Sequence, residues 1–314
     1  MAKAIMIQGT ASGVGKTMLT LALCRIFKQD GYAVAPFKAQ NMTTNTHITA
    51  KGEEIAVSQW LQALAAGVEP MPEMNPVILR PSSQESGCAA FSQTGLAVRQ
   101  GRTSGCSEIE TQFPSIEQKE QKATQVILNG KLFDTINAYN FKEIKQKLVP
   151  EIAGAYSRLS DKYDIIVIEG AGSPVELNLN KGDIVNMGMA KKANAPVLLV
   201  ADIDRGGVFA SLYGTINLME ETERVLVKAT VVNRFRGEPL YFADGVKIIE
   251  DITTLPVAGV IPYMSINLPE EDGLFGGSQY PQIADFDSEF DSIADNARKS
   301  LDMGLVYKIL NDGV

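Results

Sequence analysis

Six apolar runs recur along the chain, and amphipathic stretches fill most of the intervals between them. The runs are KAIMIQG (3–9), AVAPFK (33–38), YDIIVIEG (163–170), APVLLVAD (195–202), LVKATVVN (226–233) and LPVAGVIP (255–262). Each is continuous rather than alternating, the pattern of parallel strands covered on both faces. Residues 16–29 have helical periodicity that stops before Gly31, and EEIAVSQWLQALAAG (53–67) predicts a helix ended by its own glycine. Further helices are predicted over 142–158, 184–193, 207–220, 239–251 and 288–310. Strand and helix in alternation predict an α/β fold, a doubly wound, mainly parallel sheet with helices on both faces. Ligands then bind at the carboxyl ends of the strands. Between 70 and 140 the rhythm weakens, and a polar stretch at about 81–125 reads as an excursion from the sheet. MTTNTHITAKGEE (42–54) reads as a mobile loop.

The first strand runs straight into GTASGVGKT (9–17), which then opens a helix. Backbone N–H groups of a glycine-rich turn at a helix N-terminus hold phosphate oxygens, helped by the helix dipole. The usual loop has five positions from its first glycine to the Gly-Lys pair, whereas Gly9 and Gly15 are separated by one more. The added residue lengthens the loop and keeps Lys16 for the terminal phosphates and Thr17 for Mg²⁺. Gly9, Thr10, Ala11, Ser12, Gly13, Val14, Gly15, Lys16 and Thr17 are therefore the candidate nucleotide-binding residues.

Four other strand ends carry polar groups. Glu169 closes IIVIE, where a phosphate-loop protein places the carboxylate that holds Mg²⁺ or its water; an acid there can equally cap a helix. Lys38 ends the second strand, either as a second positive charge for a transferring phosphoryl group or as an ordinary strand-end lysine. Asp202, Asp204 and Arg205 precede Gly206 and Gly207, giving a second anion-binding helix start or a cap by Asp204. Asn233 either reads a base edge or sits in a turn.

Composition narrows the choices. A net charge of −8 on 314 residues leaves no basic surplus for general nucleic-acid binding. Three cysteines and an N-terminus without a leader pattern predict a cytoplasmic protein with no disulfide framework. No apolar stretch has the length of a membrane span. The single histidine, His47, excludes any mechanism needing two; it reads as a loop or substrate-contact residue.

Together these segments resemble the dethiobiotin synthetase-like ATPases and, within them, the cobyric acid synthase family of corrinoid amidases. QGTASGVGKT, APFKAQNM, MNPVILRP, IEGAGSPVELNL, DIVNMGMA, VADIDRGGVFASL, VNRFRG and IPY followed by LPEED match that family in its order, from Lys3 to Asp272. The resemblance implies ATP and Mg²⁺ at the loop and transfer of the γ-phosphoryl group to a corrin carboxylate. Ammonia then displaces phosphate from the acyl phosphate. It implies Lys16, Lys38 and Glu169 as catalytic residues, Thr17, Glu169 and Glu54 toward the metal, and Asn233 and Pro262 at adenine. The acceptor site would take Gln40, Asn41, Asn45, Gly170, Ala171, Gly172, Ser173, Glu176, Asn178, Asp204 and Arg205.

The family often has EIGRAQ where this chain has EIAVSQ (54–59), which bears on Glu54. Full-length relatives also carry a glutaminase domain built on a Cys nucleophile with a His partner. The residues after LPEED (268–272) contain neither Cys nor His, so no glutaminase domain is expected. The expected organisation is an ATP-binding amidoligase domain over 1–267, then a linker and a closing helix over 268–314. That helix, within FDSIADNARKSLDMGLVYKIL (290–310), resembles the terminal helix of full-length members, as if the glutaminase were omitted between the two parts. Ammonia would come free or from a separate glutaminase subunit, and a homodimer is compatible with the resemblance. Two other readings share the loop. They are a dethiobiotin synthetase-like ATP-dependent carboxylation and a non-catalytic nucleotide-dependent partner protein.

Overall fold

Strand β1 (Lys3–Gly9) runs up the middle of the molecule and passes through the glycine loop into α1 (Lys16–Gln29). The chain returns along β2 (Val34–Phe37), then builds β3 (Gln40–Met42) and a small hairpin of β4 (Thr46–Ile48) and β5 (Glu54–Ala56) before α2 (Val57–Ala66). Next come β6 (Val77–Pro81), β7 (Thr124–Leu128), β8 (Lys131–Ile136) and the long α3 (Phe141–Lys162). The alternation then becomes regular: β9 (Ile165–Glu169), α4 (Met187–Ala193), β10 (Val197–Asp202), α5 (Val208–Leu218), α6 (Glu221–Arg224) and β11 (Val227–Phe235). It continues with α7 (Ala243–Thr253), β12 (Val257–Pro262), α8 (Phe286–Ser300) and α9 (Met303–Asp312). This computed structural model describes residues 2–81, 124–136, 141–177, 182–266, 268 and 286–314.

Six strands form one parallel sheet in the order β12-β11-β10-β1-β9-β2. The alternation of strand side chains explains why each run is apolar throughout. Ile5 and Ile7 of β1 face a core layer with Leu23 and Ile26 of α1, Leu61 of α2, Phe290 of α8 and Val306 of α9. Ala4 and Met6 point the opposite way, into a layer with Leu148 of α3, Met189 of α4, Leu212 of α5 and Ile249 of α7. Two faces, each sealed by helices, keep every residue of β1 after Lys3 out of water. Because β9 lies on one side of β1 and β10 on the other, strand order reverses at the top of β1. That is the crevice where open α/β sheets bind ligands.

The expectations for 3–9 and 16–29 match the observed elements residue for residue. Elsewhere the structure corrects them. The helix expected from 53 begins at Val57, because Glu54–Ala56 pairs antiparallel with Thr46–Ile48, so the loop expected over 42–54 holds a hairpin. The helix expected over 239–251 divides into a 3₁₀ turn at Pro239–Phe242 and α7. The single helix expected over 288–310 is two. Leu301 breaks out to bridge Gly259, the Asp302 N–H donates to the Ala258 carbonyl at 2.7 Å, and the Asp302 carboxylate then caps α9 at Leu305 N. A second sheet, β3-β6-β7-β8, was not foreseen at all. Much of the polar excursion, with Cys88 and Cys106, lies outside the described residues.

Candidate functional site: the glycine loop and the Glu169 cluster

The loop is anchored where β1 ends, by Thr10 N–H donating to the Val200 carbonyl of β10 at 2.9 Å. Its crest, Ala11 to Gly13, is exposed, while Val14 turns inward and is buried beneath it. That inward turn accommodates the added residue. A Cβ on Gly9 would stand 2.5 Å from the Val14 side chain, so only glycine lets the strand pass under the loop. Gly15 has φ +100°, and a Cβ there would meet Asn233 Nδ2 at 2.0 Å. A left-handed backbone and a close neighbour both demand glycine at the entry to α1. No side chain caps that helix, and its N-terminal end faces the loop, as an anion site requires.

Lys16 lies curled along the loop, its ammonium donating to the carbonyls of Ala11 at 2.9 Å and Gly172 at 3.0 Å. Thr17 points to β9, its hydroxyl donating to Glu169 Oε1 at 2.9 Å. Lys38, at the end of β2, reaches the same oxygen at 2.8 Å. Glu169 is 1% exposed and Lys38 4%, so this ion pair is out of water. The other carboxylate oxygen accepts from Gln62 Nε2 of α2 at 2.6 Å.

Gln62 starts a buried polar chain across α2. Its Oε1 accepts from Gln59 Nε2 at 3.4 Å, and Gln59 Oε1 accepts from Asn41 Nδ2 at 3.0 Å and from the Ser58 hydroxyl at 3.0 Å. A hydrogen-bonded line thus connects Glu169 to β3. Sequence reasoning missed Gln59 and Gln62, although two glutamines three apart on a largely apolar helix were the available signal. It also missed Asn186, whose Oδ1 accepts from Ala171 N at 3.0 Å while its Nδ2 donates to the carbonyls of Ala171 at 2.6 Å and Ser173 at 3.2 Å. Asn186 therefore fixes the Gly170–Ser173 turn. Gly170 must be glycine, since a Cβ would come 2.4 Å from Asn186 Oδ1.

The other expected residues divide. Asn41 is buried against α2, while its neighbour Gln40 is half-buried on β3. The Asn45 N–H closes a turn on the Thr43 hydroxyl. Glu54 pairs with Arg80, which also donates to Thr46, and it makes no described contact with Thr17 or Glu169. Asp204 pairs with Arg236, whose hydrogen bond holds its carboxyl below the ordinary range; α5 starts at Val208 behind an N-cap, Gly207, with no side-chain cap, so the capping alternative fails. Arg205 leans to the loop, its guanidinium 3.5 Å from where a Gly13 Cβ would stand. Glu176 is half-buried, and Asn178 lies outside the described residues. Asn233 donates from Nδ2 to the Val14 carbonyl at 2.8 Å. It borders a cleft whose wall from β12 includes Ile261 rather than Pro262. His47 is stacked on Trp60 with centroids 4.3 Å apart, and burial lowers its pKa.

Among the described residues no helix is long and apolar enough to cross a membrane. Residues 5–273 match the CobQ/CobB/MinD/ParA nucleotide binding domain family. A cobyric acid synthase of Lachnoclostridium phytofermentans is 46% identical over 278 residues, 87% of this chain and 47% of that protein. One from Listeria monocytogenes is also 46% identical, over 89% of this chain and 48% of its own length. One from Streptococcus sanguinis is 43% identical over 98% of this chain and 52% of its own. The chain thus spans about half the length of these relatives. With a glycine loop at the switch point of a parallel sheet and this family match over most of its residues, the chain belongs to the CobQ/CobB/MinD/ParA nucleotide binding domain family, as a homologue of cobyric acid synthases.

Proposed function

We propose that the chain binds Mg·ATP on residues 9–17 and uses it to activate a corrinoid side-chain carboxylate for amidation. The observation that carries this reading is the convergence on Glu169. A loop hydroxyl, Thr17, and a second lysine, Lys38, meet one buried carboxylate within 2.9 Å. Hydroxyl and carboxylate oxygens are the hard donors that Mg²⁺ takes, and the glycine positions that a Cβ would fill leave backbone N–H groups accessible to phosphate. Thr17 and Glu169 would hold the ion, which supplies charge neutralisation between the terminal phosphates.

The chain's own groups do the rest. Lys16 exchanges its two carbonyl partners for phosphate oxygens. Lys38 pairs with Glu169 at 2.8 Å and adds positive charge at the metal end of the loop. Arg205, beside Gly13, offers a guanidinium to the same anion. An acceptor carboxylate oxygen bonds to the γ-phosphorus as the bond to ADP breaks. The nitrogen of ammonia then bonds to the acyl carbon, phosphate leaves, and a proton is released. The Gly170–Ser173 turn, held by Asn186, and the β3 segment would line the acceptor side. Ammonia arrives free or from a separate glutaminase.

The test is ATP turnover measured with a corrinoid acid and ammonium, each omitted in turn, with mass analysis of the corrinoid. The reading requires ADP formation that depends on the acid and an amide product one oxygen lighter and one NH heavier. Turnover indifferent to the acid, with no amide formed, would overturn it.

A further inference from the structure

Helix α2 carries two glutamines, Gln59 and Gln62, that are fully out of water, although Val57, Leu61, Ala63 and Ala65 of the same helix belong to the apolar core. A buried amide costs stability unless its hydrogen bonds are made, so each glutamine needs a reason to be polar. For Gln62 the reason lies in its partners. An amide nitrogen has two hydrogens to give. Gln62 Nε2 stands 2.6 Å from Glu169 Oε2 and 3.3 Å from the Thr17 carbonyl, so both are committed. Thr17 of α1 and Glu169 of β9 are the two residues proposed to hold the ion, and one planar group spans them.

The orientation of that group is forced. A carboxylate in an ion pair with Lys38 only accepts, so Gln62 must turn its nitrogen to Glu169 and its oxygen to Gln59. Gln59 must then present its own nitrogen, at 3.4 Å, which leaves its oxygen for Asn41 Nδ2 and the Ser58 hydroxyl, each at 3.0 Å. The three amides therefore point their N–H groups one way, toward Glu169, and hydrogen bonds so aligned polarise one another. With Oε2 held by Gln62, the carboxylate is pinned, and Oε1 stays turned to Thr17 and Lys38. A neutral amide does this without cancelling the charge that a cation needs, as a second lysine would. We infer that Gln62 is a positioning residue for the ion end of the phosphate loop. It fixes Thr17 and Glu169 relative to one another, and Gln59 and Asn41 keep its amide the right way round.

This inference rests on the Mg·ATP reading, and calorimetry separates the two. ATP is titrated into the whole chain with excess Mg²⁺ and again in EDTA, and the ratio of the two affinities measures what the ion contributes. Gln62→Met, close in length to the native side chain, should lower that ratio about 10–100-fold while affinity in EDTA stays within about twofold. Gln59→Leu, which leaves the Gln62–Glu169 contact in place, should lower it less. Glu169→Gln should lower it by itself, and adding Gln62→Met should then change nothing further, because the amide has no carboxylate to orient. An unchanged ratio in Gln62→Met would overturn the inference. So would equal losses with and without Mg²⁺, the mark of a merely structural role, or the same loss repeated in the Glu169→Gln background. A wild-type chain whose ATP affinity ignores Mg²⁺ would sink the Mg·ATP reading, and this inference with it.

Discussion

Glu169 is the residue on which the site depends, and its burial makes its partners testable without substrate. Replacing Lys38 by Met leaves a carboxylate that is 1% exposed without its counter-ion. Breaking a buried pair in this way costs about 3–5 kcal/mol, so Lys38→Met should lower unfolding free energy by that order in denaturant titrations. Adding Glu169→Gln should recover much of it, and a double variant no more stable than Lys38→Met would show that the pair is not what is lost. Lys16→Met has a different expectation. Its buried ammonium rests on neutral carbonyls, and losing it leaves no charge on those partners; stability should change little while ATP turnover falls at least ~100-fold in a phosphate-release assay. His47 supplies a pH handle. Its pKa is lowered by burial beside Trp60, so the neutral ring is favoured in the fold. The contribution is therefore present above the unfolded pKa of 6.5 and is lost as pH falls through the lower folded value. Because the chain has one tryptophan, its fluorescence should titrate with a midpoint below 6.5, and His47→Gln should abolish the transition.

Elements were readable where a run of side chains has one reason to be as it is. The strands β1, β9 and β10 are apolar because both faces are covered, and α1 shows its buried face at helical spacing. The β4–β5 hairpin was not readable, because two three-residue strands carry too few positions for alternation to be seen. The division of α8 from α9 is tertiary in origin. Nothing local in KSLDMG stops a helix; the bridge to Gly259 does, and Asp302 then restarts the chain as a cap. A Cβ at Gly259 would meet the Ser300 carbonyl at 2.3 Å and Leu301 Cα at 3.0 Å. Gly259→Val should therefore detach this bridge and raise amide exchange in α8 and α9 above that in β1. The excursion between β6 and β7 has its own test. Pro81 and Thr124 are direct cross-strand partners, so residues 82–123 leave and rejoin one antiparallel ladder at adjacent points. Replacing them by a two-residue Asn-Gly turn should keep the thermal transition within a few degrees and keep Mg·ATP binding, as heat of association would record.

Across the whole molecule, the sequence by itself determined the parallel α/β architecture, the phosphate loop and the strand-end acid and lysine. Each of these is a local pattern that a short segment carries: continuous apolarity, glycines before a helix, a charged residue where an apolar run stops. Only the tertiary structure decided that Thr17, Lys38 and Gln62, from α1, β2 and α2, close on one carboxylate of β9. It alone turned Asn41 inward to Gln59 and paired Glu54 with Arg80. It also brought α8 across to the cleft beside Gly15. The physical reason is the order of the sheet. Parallel strands need long crossovers, so neighbours in space are far apart in sequence, and β1 lies between β9 and β10 although some 155 residues separate β1 from β9. Local spacing fixes which residues stand at strand ends; the strand order fixes which of those ends meet.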